Sequence, residues 1–162
     1  MQRQPRVRMD GPSPMLESLE PRLLLSNQPI ISEFMAVNAN GLKDSASRTS
    51  DWIEVYNPSA TEQDLTGWKL EDGGHKPWTF PAGTKIGPYG YVLVWAADPP
   101  ADPAPGELFT GFGLKGDGEY LALLDPSGEP VHEYSPQYPP QTADISYGIG
   151  QNIETTPVAP RR

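Results

Sequence analysis

Between Ser50 and Ala97 the chain alternates apolar and polar residues in short runs, each broken by turn residues and each with a tryptophan in or beside it. This period of two predicts strands, and the breaks predict turns. A first strand is expected over Ile30–Val37, then a polar loop over Asn38–Ser50 and a second strand over Asp51–Asn57, closed by Asn57-Pro58. Leu65–Glu71 reads as the third, ended by the turn signal Asp72-Gly73-Gly74. Pro77–Phe80 is short, and its prolines at 77 and 81 cannot donate to a ladder, so it belongs at a sheet edge. Tyr91–Ala97 is apolar at both alternating sets of positions, which predicts a strand buried on both sides or central in its sheet.

Past the proline-rich loop Asp98–Gly106, Leu108–Leu114 reads as a weak strand and Glu119–Leu124 as a clear one, with the turns Lys115–Gly118 and Asp125–Gly128 between and after them. Val131–Tyr134 is a further short strand, and an extended stretch runs on to Gly148. No helical period outlasts a turn or two. Eight or nine short strands at regular spacing predict an all-β sandwich.

Composition sharpens the boundaries. The 162 residues suit one domain plus tails, and the 20 Pro and 16 Gly concentrate in loops and at the ends. The chain divides into a tail over residues 1–29, a sandwich over 30–150 and a flexible tail over 151–162, with disorder expected in the polar, basic stretch 1–14. There is no cysteine, which removes disulfides, thiol nucleophiles and Cys-ligated metals. No stretch reaches the ~20 apolar residues of a membrane span, and Leu23-Leu24-Leu25 falls short of the ~7–15 of a secretory signal core.

Charge is uneven. Residues 30–154 hold six Lys/Arg against 18 Asp/Glu, a net −12 within an overall −9. Such a surface repels phosphate backbones and anionic lipid, which argues against nucleic-acid binding and leaves cationic partners and divalent ions open.

No catalytic constellation emerges. His75 sits in a glycine-rich turn, and His132 sits in a strand beside Glu133, which points to the opposite face. There is no Gly-x-Ser-x-Gly elbow, no phosphate-cradling glycine loop and no zinc-ligand spacing, so no catalytic, cofactor or metal residue is assigned. Asp44 and Asp51 flank a loop that also carries Asn38, Asn40 and Ser45, while Asp98 and Asp102 sit in the proline-rich loop. Oxygen-rich loops of this kind suit calcium, although the spacing is not that of an EF-hand. Trp52 shares a strand face with Glu54 and Tyr56, a wetter setting than that of the other tryptophans, and Tyr134, Tyr138 and Tyr147 could form an aromatic strip. Trp52, Tyr134, Tyr138, Asp44 and Asp51 are therefore the candidate partner-binding residues.

The ordered strands resemble a lamin-tail domain, an immunoglobulin-like sandwich. The resemblance rests on Asp51-Trp52-Ile53-Glu54-Val55-Tyr56-Asn57, Asp64-Leu65-Thr66-Gly67-Trp68-Lys69-Leu70, Trp78-Thr79-Phe80-Pro81, Gly90-Tyr91-Val92-Leu93-Val94-Trp95-Ala96 and Gly118–Asp125. It spans roughly residues 30–148. The stretches Glu133–Gln141 and Asp144–Gly148 look like the bacterial branch. Leu19-Glu20-Pro21-Arg22-Leu23-Leu24-Leu25 resembles the LEPR-XLL motif of large exported bacterial proteins.

The resemblance implies a non-catalytic module that is exported or displayed at the cell surface. Its partner would be a protein or an envelope polymer, bound through loops or a sheet edge, with no cofactor, nucleic acid or membrane insertion. Two alternatives stand beside this reading: an accessory domain of a larger secreted hydrolase or kinase-like protein, and a calcium-stabilised adhesion domain. In the sandwich, Trp68, Trp95 and Phe80 are expected to fill the core.

Overall fold

A computed structural model describes residues 27–149. Residues 1–26 of the N-terminal tail, with the LEPR-XLL-like motif, the C-terminal tail and the last residue of the expected domain, Gly150, lie outside the described residues.

Ten strands form: β1 (Ile30–Met35), β2 (Asp51–Tyr56), β3 (Gln63–Asp64), β4 (Lys69–Glu71), β5 (Trp78–Thr79), β6 (Lys85–Ile86), β7 (Tyr91–Ala96), β8 (Leu121–Leu124), β9 (Pro130–Tyr134) and β10 (Tyr147–Gly148). Two four-stranded sheets, in the orders β10-β1-β2-β7 and β5-β4-β8-β9, face each other, and β3 pairs with β6 beside them. All of these pairings are antiparallel. The architecture is an immunoglobulin-like all-β sandwich, as the sequence leads one to expect.

The core follows from alternation. In β2, Ile53 and Val55 point inward, and in β7 Val94 and Ala96 do. They meet Leu121 and Leu123 of β8 and Leu70 of β4 across the sandwich, with Ile31, Phe34, Phe80 and Tyr138 completing the layer. β1 carries a bulge between Ile31 and Glu33, so Ser32 is the extra residue, and the strand returns to register with Phe34 inward.

Several expectations give way. Leu65–Glu71 is a strand only over its last three residues, because Gly67 adopts φ +78° and Trp68 N–H closes a turn onto Leu65 C=O at 3.0 Å. Leu108–Leu114 forms no strand. It touches the sheet through one parallel bridge, Phe109 to Trp95, after which Gly111 at φ +77° bends it away. β3 and β6 escape a sequence reading because two residues each carry no period.

β7 is last in its sheet rather than central, and only its second half is buried: Val94, Trp95 and Ala96 are buried, whereas Tyr91 is 52% exposed. Of the three expected core aromatics, Phe80 lies in the main core and Trp68 packs partly buried against it. Trp95 is buried in a separate cluster on the outside of the first sheet, with Met35, Trp52 and Phe109.

Candidate interaction surface

The outer face of the β10-β1-β2-β7 sheet has two halves. Cross-strand partners there lie in rows, since directly opposed residues share a face. One row is Met35, Trp52 and Trp95; the next contains Glu33, Glu54 and Leu93; the last contains Ile30, Tyr56 and Tyr91.

The first row is closed. Phe109 packs on Met35, Trp52 and Trp95, and the Arg48 guanidinium lies 5.8 Å from the Phe109 ring centre. Asp44 holds Arg48 in place. It is buried, its Oδ2 accepts from Arg48 Nε at 2.8 Å, and its Oδ1 accepts from the backbone N–H groups of Ala46 and Arg48. Burial opposes its ionisation, but the Arg48 and Ser50 hydrogen bonds and the Arg48 charge outweigh that cost and hold its carboxyl below the usual range. Glu107 ties the same loop to the Phe109 segment through Ser45 N–H at 2.8 Å.

This geometry corrects the sequence reading at Trp52. Its face is outward, but the ring is covered, only 6% exposed, and its Nε1 has no hydrogen-bond partner among the described residues. Tyr138 is corrected too. It is 1% exposed, packs on Phe34 at 4.6 Å, and donates its hydroxyl to Lys115 C=O at 3.0 Å. The expected tyrosine strip does assemble, but around Phe34: Tyr134 lies 5.2 Å and Tyr147 5.6 Å from that ring. It closes the sandwich beside β9 and β10 instead of offering a flat surface. Tyr134 is half-buried, and its hydroxyl donates to Ile31 C=O.

Asp44 and Asp51 are also structural. Asp51 accepts from Asn38 N–H at 3.1 Å, and burial pushes its carboxyl up against the pull of the Asn38 and Leu114 N–H groups. Asn38 spends its amide on Leu42 C=O and Ser50 C=O and takes Gly41 N–H on its carbonyl. Asn40 donates to Asp144, whose φ of +60° turns it under the loop. The oxygens that could suit calcium therefore hold the loop itself. Among the described residues no three His, Cys, Asp or Glu side chains gather as a metal cluster.

His75 is bonded to buried Asp72 at 2.5 Å, a His–carboxylate pair that the sequence reading missed as part of a turn. No hydroxyl is hydrogen-bonded to His75 among the described residues, so the pair lacks the nucleophile of a triad. His132 is buried while Glu133 is exposed, as alternation requires, and burial pushes the imidazole pKa down.

The remaining rows are less covered: Tyr91 is exposed, while Ile30, Glu33, Glu54, Tyr56 and Leu93 are half-buried, Leu93 against the closed cluster. Tyr56 and Tyr91 stack at 4.7 Å with 28° between their planes. Glu33 and Glu54 are direct cross-strand partners on neighbouring strands. Ser32 Oγ donates to Glu54 Oε1 at 2.8 Å and Ser146 Oγ donates to Glu33 Oε1. The ion pairs among the described residues lie elsewhere, at Asp44–Arg48, Asp72–His75, Glu62–Lys85 and Glu119–Lys115. Between these groups is a shallow cavity of about 420 Å³ lined by Ser32, Glu33, Glu54, Tyr91, Gly148 and Ile149. The sequence pattern already put Glu54 and Tyr56 on one face, but nothing local paired Glu54 with Glu33 or Tyr56 with Tyr91.

The model of the Lamin Tail Domain family matches residues 26–137, which takes in β1 to β9. The chain belongs to the lamin tail domain family. No curated protein matches it. Lamin tail domains are immunoglobulin-like modules, generally non-catalytic. In this lamin tail domain the matched region carries Glu33, Glu54, Tyr56 and Tyr91, while Gly148 and Ile149, which complete the cavity, lie past its end.

Proposed function

We propose that this lamin tail domain is a non-catalytic interaction module of an exported or surface-displayed protein, binding a protein or envelope partner through the open part of its first sheet. The observation that carries the reading is the contrast on one sheet face: Phe109 covers the Trp52 row, whereas Tyr91 at 52% and Ile149 at 40% stay exposed around a cavity. Exposed aromatic and aliphatic groups ringed by polar ones favour a contact surface. The bacterial, exported setting draws on the LEPR-XLL-like segment over residues 19–25.

The test is co-sedimentation of the purified full chain with cell envelopes of the source organism, with added calcium and with chelator. Saturable pelleting in both conditions is expected. Pelleting that vanishes on chelation would favour a calcium-dependent adhesin, and no pelleting in either condition would overturn envelope recognition.

A further inference from the structure

The backbone of β7 is half used. Antiparallel ladders alternate residues that bond across the pair with residues whose N–H and C=O point away. Trp95 N–H bonds Leu108 C=O at 2.8 Å and Thr110 N–H bonds Trp95 C=O at 2.9 Å, so Trp95 faces away from β2. By the same alternation Leu93 and Tyr91 also turn their N–H and C=O away from β2, and on that side the parallel Phe109 segment joins the sheet only from Leu108, beside Trp95, onward. Two residues of exposed ladder thus border the stacked tyrosines. Unpaired strand edges of this kind are templates for another chain, and proteins use them to take up extended peptides.

The charge on the adjoining face selects the occupant. Glu33 and Glu54 oppose each other directly, an arrangement that costs stability in a sheet, and the described ion pairs all lie elsewhere. Strands lie ~4.8 Å apart, so a strand added beside β7 runs about 10 Å from the β2 backbone. An arginine on it, lying over Leu93, meets a glutamate reaching back from position 54. The same guanidinium passes near the Tyr91 and Tyr56 rings, whose faces attract cations.

We propose that the open half of the β7 edge takes an extended basic segment of a partner protein, which pairs with the main chain of Tyr91 and Leu93 and directs an arginine or lysine to Glu54. This rests on the interaction-module reading and names the partner's chemistry.

The test uses the full chain, labelled with nitrogen-15, and a capped heptapeptide of alternating arginine and valine, with a glutamine–valine peptide as control. Saturable shifts are expected at Tyr91, Leu93 and Glu54, together with slowed amide exchange at Leu93. Glu54→Gln weakens binding about tenfold, the loss of roughly one charge-assisted contact, and the control peptide does not bind. N-methylation of every second peptide amide abolishes binding in one register and spares it in the other, because a strand offers alternate N–H groups to each side. The inference is overturned if there is no saturable binding at millimolar peptide, if both methylated peptides bind like the parent, or if the shifts centre on other acidic loops and survive Glu54→Gln. Envelope pelleting without peptide binding would remove this edge and leave the interaction reading. Peptide binding without pelleting would do the reverse.

Discussion

Two halves of one sheet face, built from neighbouring residues of the same three strands, meet opposite fates. Met35, Trp52 and Trp95 are sealed under Phe109, while Tyr56, Tyr91, Glu33 and Glu54 are less covered only a few residues along. Strand alternation makes both halves outward and cannot separate them. The separation comes from the Asp44–Arg48 clamp and the Glu107–Ser45 tie, which hold Phe109 over one half, while Phe112 just beyond it turns into the main core. Closing the first half adds a second small core. Leaving the other half uncovered keeps two like charges side by side and, in the proposed reading, a run of ladder free for a partner.

The largest effect is expected from uncovering the closed half. Trp52→Ala removes a buried indole from between Met35, Trp95 and Phe109, and such truncations cost about 3–5 kcal/mol. Trp52→Phe keeps most of the packing and deletes the unpartnered N–H, so it should cost much less. Urea unfolding midpoints of the two variants check this. An alanine variant as stable as the parent would mean that the cluster contributes little.

Next is the clamp. Asp44→Asn keeps the shape but drops the charge facing Arg48, for a loss of about 2 kcal/mol at neutral pH. The folded carboxyl binds protons less readily than the unfolded one. Its contribution is therefore complete above the ordinary carboxylate value near 4 and is lost as pH falls through the lower folded value. Unfolding curves between pH 7 and 3 should show the parent losing this increment in acid and the variant lacking that part of the slope. His132 acts in a different window. Burial lowers its pKa, so the unfolded chain takes up a proton first and stability declines as pH drops below about 6.5.

A smaller change tests the wall of the open half. A Cβ at Gly148 would clash with the Ser32 carbonyl oxygen, so Gly148→Ala forces β10 off β1. Because β10 is a two-residue edge strand that can detach alone, the cost is about 1 kcal/mol, at the low end for overpacking. The Ile149 amide, bonded to Ser32 C=O at 3.0 Å, should lose its exchange protection while β2 amides keep theirs.

How far these features were legible depends on the range of the interactions that make them. The DWIEVY run shows its inward Ile53 and Val55 and its outward Trp52, Glu54 and Tyr56 by alternation alone. That Trp52 is then covered depends on Phe109, far along the chain and in a segment whose glycines break any strand period. Tyr138 sits among Ser, Pro and Gln, a loop composition, yet its ring is wholly buried because its N–H and hydroxyl anchor it to Glu119 C=O and Lys115 C=O. Asp44 carries the side-chain type of a ligand or partner contact, and only the position of Arg48 four residues on shows that it closes its own loop. Local period, in short, reveals facing; it does not reveal what arrives from elsewhere to cover a face.

The smallest effect has the opposite sign and bears most directly on the open half. Glu33 and Glu54 face each other across β1 and β2, each with a serine hydroxyl as its hydrogen-bond donor. A hydroxyl supplies one bond and no charge, so the mutual repulsion stays. Glu54→Gln keeps the shape and can still accept from Ser32 while removing that repulsion, and should stabilise the fold by about 0.2–1 kcal/mol at low salt. The gain should shrink as salt is added, because the ~10 Å screening length at 0.1 M approaches the spacing between charges and shortens further beyond it. Thermal unfolding of the parent and variant at two salt concentrations reads this directly. A variant that is both more stable and poorer at binding the basic peptide would mean that the second glutamate is kept at a cost to folding for the sake of a cationic partner. A destabilised variant would make the pair part of the sheet's own hydrogen bonding, and the open half would then differ from the closed one only in what covers it.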